Sequence, residues 1–114
     1  MLLLLFACSS PAATITTGPA DGETLPPGLA EFTRGKLQRG VDNCYAEALK
    51  EDAALSGTAT VTAVGSHGIL KVEGTGPDPL VACVKDVLED SRNQRTLGEG
   101  DNTVGATFTV TFTP

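Results

Sequence analysis

The clearest pattern lies at the end of the chain, where Val104, Ala106, Phe108, Val110 and Phe112 alternate with Thr103, Gly105, Thr107, Thr109 and Thr111. A strict period of two assigns the two sets to opposite faces of a strand, apolar inward and threonine outward. A second alternating run sets Ala59, Val61 and Ala63 against Thr58, Thr60 and Thr62. Turn residues Gly65, Ser66, His67 and Gly68 follow, and the stretch from Ile69 to Glu73 returns with Leu70 and Val72 inward, so these two runs predict a hairpin.

Two other stretches carry helical spacing. From about Thr33 to Glu51, the residues Leu37, Val41, Cys44 and Ala48 fall on one stripe, with Tyr45 and Leu49 beside it. Gly35 and Gly40 weaken the start of that helix by about 1 kcal/mol each relative to alanine. From about Pro79 to Ser91, Leu80, Cys83, Val84, Val87 and Leu88 form a second stripe, opened by Asp78 and a proline that needs no amide hydrogen in the first turn.

The order helix, strand, strand, helix, strand predicts an α+β domain. Its sheet is expected to be three-stranded and antiparallel, in the spatial order second, first, third, with both helices on one face. The Thr58 strand is then central and one edge of the last strand is left open. In that layout the helices are neighbours, and Cys44 and Cys83 meet between them as a disulfide.

Composition divides the chain further. Ser, Thr, Pro, Gly and Ala dominate the stretch from Ser9 to Pro27 without periodicity, so residues 9–32 are expected to be a flexible leader and residues 33–114 the folded domain. The charge of −6 and the scatter of eight Lys and Arg exclude a phosphate-binding surface, so no nucleic-acid partner is expected. Aromatic residues are scarce, which leaves little to line a large ligand cavity.

Three cysteines make one too many for a single bridge. Cys8 follows an apolar run, and Leu5-Phe6-Ala7-Cys8 resembles the lipobox of bacterial lipoproteins, in which the cysteine is acylated. That resemblance makes residues 1–8 a signal-like segment whose true start lies upstream, and Cys8 the site of a palmitate-type lipid anchor to the membrane. Ser9 and Ser10 after the cysteine match the pattern for retention at the outer membrane, facing the periplasm. A secreted or surface location is the alternative.

Cys44-Tyr45 followed by Leu49, then Leu55-Ser56-Gly57 before an alternating strand, Gly68 in the turn, Cys83-Val84 on the second helix and a closing Val/Phe strand resemble the AgmX/PglI C-terminal domain family. The family is similar in layout to the C-terminal domain of TonB. The resemblance covers about Thr33 to Pro114 and implies a non-enzymatic, disulfide-stapled module that contacts another cell-envelope protein, with links to motility or transport. No Pro/Lys-rich spacer precedes the domain, so a lipid-anchored, stand-alone copy of the fold is expected rather than an energy transducer.

The remaining chemistry is thin. His67 is the single histidine and sits in a turn, away from the helices that carry the cysteines, so neither a metal site nor an activated cysteine is expected. Gly98 to Asn102 offers oxygen atoms without the spacing of a known calcium loop. No cofactor and no catalytic residue are expected. The residues assigned to a partner are Thr107, Thr109 and Thr111, on the outward face or free edge of the last strand. A small envelope inhibitor, or a ligand- or metal-binding module, is the rival reading.

Overall fold

The computed structural model describes residues 11–20, 25, 28–66, 69–90 and 104–114. Its elements are β1 (Ala12–Pro19), a first helix in three consecutive sections, a hairpin of β2 (Gly57–Ser66) and β3 (Ile69–Thr75), the second helix α3 (Asp78–Glu89), and β4 (Val104–Thr113). The sections of the first helix are α1 (Leu29–Phe32), a π-helical turn (Thr33–Leu37) and α2 (Gln38–Glu51). The fold is α+β with an antiparallel sheet, and the sheet has four strands in the order β1-β4-β2-β3. The expected three-stranded sheet is therefore corrected.

The additional strand comes from the stretch whose composition suggested a leader. Residues 12–19 pair antiparallel with β4 from Ala12↔Thr113 to Pro19↔Ala106. Two further expectations fall with that one. Order begins well before residue 33, and β4 has no free edge, because β1 fills one side and β2 the other. The three anticipated strands do keep the neighbours assigned to them, with β2 between β3 and β4.

The first helix starts at Leu29, earlier than the stripe alone indicates, and its π turn has a clear cause. Phe32 and Leu37 stand five positions apart, too far for one α-helical turn, and a single π turn brings both into the core. Leu37, Val41 and Tyr45 then continue at intervals of four, all buried. The insertion leaves one defect. The Thr33 hydroxyl is buried there with no hydrogen-bond partner among the described residues.

α2 packs over β1, and α3 packs over β2 and β3. The core between the layers joins Val41 and Tyr45 to Leu80, Val84 and Leu88, and to the sheet residues Val61, Phe108, Val110 and Phe112. Tyr45 donates its hydroxyl hydrogen to the Leu55 carbonyl at 2.6 Å and sets its ring edge against Phe112, with centroids 4.9 Å apart. Burial raises its phenol pKa above the usual value near 10.

Gly40 has a packing role beyond its low helix propensity. A Cβ added there would lie 2.8 Å from both methyl groups of Val87, so the missing side chain lets α2 and α3 approach closely. That approach places Cys44 and Cys83 with Cα atoms 5.7 Å apart, joined as a disulfide. Cys83 is fully buried while Cys44 is half-buried. The expected bridge between the two helices is present.

The outer edge of β1 is partly blocked. The Ala20 amide donates to the Gly105 carbonyl, so by the antiparallel alternation the even-numbered residues of β1 bond to β4 and the odd-numbered ones point away from the sheet. The outward carbonyl of Ala13 accepts from Gln38 Nε2 at 2.8 Å, and Pro19 has no amide hydrogen to offer.

Candidate functional site

One face of the sheet lies against the helices. The other is covered by no element among the described residues, and it is built almost entirely of threonine. The register sets Thr14, Thr111 and Thr58 in one row across β1, β4 and β2. The next row reads Thr16, Thr109, Thr60 and Thr75, and the third Gly18, Thr107, Thr62 and Glu73. Neighbouring strands lie about 4.8 Å apart and alternate residues about 6.7 Å along the strand, so the side chains form a close two-dimensional array.

The array is internally bonded. Thr58 and Thr111 hydroxyls lie 3.4 Å apart, those of Thr62 and Thr107 3.2 Å apart, and Thr16 donates to the Thr109 carbonyl at 3.4 Å. β-branching fixes χ1 in each side chain, which suits a strand and makes the surface stiff. Thr107, Thr109 and Thr111 occupy the middle of this face, flanked on both sides, instead of an open margin. Their placement on the outward face is as expected; their place on a free edge is not.

Charge separates this face from the rest of the surface. Among the described side chains its outward positions on β1, β4 and β2 are Ala12, Thr, Gly and Val64, with Lys71 and Glu73 confined to β3. A chain of charge −6 thus keeps a face whose three adjoining strands bear no formal charge. Depletion of charge at the centre is one part of the composition of protein-recognition surfaces, and the aromatic, Met and Arg residues that accompany it there are not among the described side chains on this face of β1, β4 and β2. Its weak point is area. A patch spanning four strands and three rows covers only a few hundred Å², below the roughly 800 Å² per partner of a stable interface.

A groove of about 490 Å³ runs along the seam between the helices, with Lys36, Arg39, Gly40 and Asn43 on one side and Asp86, Val87 and Asp90 on the other. Its ionisable groups are Lys36, Arg39, Asp86 and Asp90, and its lining holds no cysteine, serine, threonine, tyrosine or histidine. Among the described residues, no group of three or more His, Cys, Asp or Glu is arranged to hold a metal ion. None of the described helices is long and apolar enough to cross a membrane. Cys8, His67 and the stretch Gly98 to Asn102 lie outside the described residues.

Two features escaped the sequence reading. β1 and its row of Thr14 and Thr16 extend the array by a strand, and the signal for them was present as Thr-Ile-Thr within a run of small residues. Gln38 as the cap on β1 had no sequence signal, because its partner is a backbone carbonyl 25 positions away. Compared with known protein families, characterised proteins and solved structures, the chain matches none.

Proposed function

We propose that this protein is a non-enzymatic lipoprotein of the bacterial cell envelope, anchored through Cys8, whose disulfide-stapled, TonB-like domain docks onto another envelope protein. The docking surface is the uncovered sheet face centred on Thr107, Thr109 and Thr111. The observation that carries the reading is the neutrality of that face in an acidic chain. Long charged side chains cost desolvation and rotamer entropy at an interface, and threonine offers a methyl group and a hydroxyl with little of either cost.

In-cell cross-linking tests it. Thr109→Arg or Thr58→Arg, the latter at an exposed position, places a charge in the array, and either variant is expected to lose the cross-linked species formed by the natural protein while keeping its melting temperature within a few degrees. An unchanged set of cross-linked species in both variants refutes the docking face. The anchor is tested separately by labelled palmitate, which Cys8→Ser is expected to leave unincorporated.

A further inference from the structure

We infer that the domain is seated directly on a phospholipid surface with the Ala12 end of its sheet lowermost, and that any docking partner must present itself close to the membrane. This rests on the reading of Cys8 as the lipid-bearing residue and adds what the fold does to it. Only Ser9, Ser10 and Pro11 separate Cys8 from the first residue of β1. At 3.3–3.6 Å per residue the chain from Cys8 to Ala12 reaches about 14 Å at most. A leader lasting to residue 32 would instead have allowed roughly 80 Å on the same scale. The incorporation of residues 12–19 into the sheet removes that freedom.

β1 holds its place through a ladder along its whole length, through Ala13 buried in the core, and through Gln38 on the Ala13 carbonyl. The end of the molecule nearest the anchor is therefore defined. Ala12 pairs with Thr113, Phe112 with Gly57, and a Cβ on Gly57 would lie 3.1 Å from Pro77. The opposite end carries Pro19, Ala106 and Gly65. β1 rises about 25 Å between the two, which keeps the whole threonine face within about 40 Å of the anchor.

The near end carries Asp78 beside Pro77 and Asp52 before Gly57, while Lys50 is engaged with Glu47 at 3.0 Å. The acyl chains hold the domain down, and it rests on the headgroup layer without entering it.

Depth measurement on the acylated, full-length protein in vesicles of phosphatidylethanolamine and phosphatidylglycerol tests this. A fluorophore is attached at Thr113→Cys at the near end or at Gly18→Cys at the far end, where a side chain meets nothing within 4 Å, and quenching is read against a headgroup spin label. The expected result is severalfold stronger quenching at position 113 than at position 18, insensitive to salt. A Gly/Ser spacer of leader length inserted between Pro11 and Ala12 is expected to abolish the difference. Equal quenching at both positions without the spacer, or stronger quenching at position 18, overturns the seating while leaving the anchor in place. Absence of acyl mass on Cys8, with protein free of the vesicles, overturns the anchor itself and the seating with it.

Discussion

β1 and β4 lie side by side, both show threonine to solvent, and they differ in what they give the interior. β4 sends Ala106, Phe108, Val110 and Phe112 into the core, each at most 1% exposed. On the same side β1 offers Ala13, a half-buried Ile15, and Thr17 and Pro19, which stay exposed. A central strand is fixed by what it buries, with each large side chain contributing about 1.5–3 kcal/mol. An edge strand this poor in apolar surface is held mainly by its ladder and must offset about 1–2 kcal/mol of backbone entropy per residue with little else. The molecule therefore has a firm interior pair, β2 and β4, and a lightly held margin.

The largest test of that contrast is Phe108→Ala, which is expected to cost about 3–5 kcal/mol in denaturant unfolding, against about 1 kcal/mol for Ile15→Ala. Similar costs for the two would erase the distinction. Next comes the bridge. Replacing Cys44 and Cys83 with serine and alanine is expected to cost about 2–4 kcal/mol, because the cross-link closes a loop of 39 residues in the unfolded chain. The loss is expected in global stability, with the order of hydrogen-exchange protection between β4 and β1 preserved.

Gln38→Ala acts on the margin alone. Removing the donor to Ala13 is expected to cost about 1 kcal/mol and to speed exchange of the β1 amides while leaving those bonded between β2 and β4 unchanged. The smallest effect concerns pH. Tyr45 has its pKa raised by burial in the folded state, so its contribution to stability is complete below the unfolded value near 10 and is lost as pH climbs through the folded value. Unfolding curves of the natural protein are expected to weaken in that alkaline window, and Tyr45→Phe to remove this part of the slope.

The same contrast explains what sequence alone could reveal. β4, β2 and both helical stripes were legible because Phe108, Val61, Val41 and Leu80 each mark a period that burial enforces. β1 was not, since Ala13 and Ile15 are too few to register as alternation, and Thr, Gly and Pro in the same run also suit a loop. The cysteine pair was legible for the reason the helices were, as both residues sit on buried stripes. The π turn shows a subtler limit. Phe32 and Leu37 are each ordinary core residues, and only their separation of five reveals that the helix must be locally unwound. Of the candidate site, Thr107, Thr109 and Thr111 were legible as outward-facing, but their flanking by β1 depends on pairings about ninety positions apart, which no local pattern encodes.

Under the anchor proposed at Cys8, which would confine the protein to a plane, the partly blocked margin of β1 carries a consequence. Molecules tethered to the same leaflet collide far more often than in bulk, and a bare strand flank would invite neighbours to zip into fibrils. With Gln38 occupying one outward carbonyl and Pro19 withholding a hydrogen, the two ends of that flank are poorer templates for chain-to-chain growth than a bare strand.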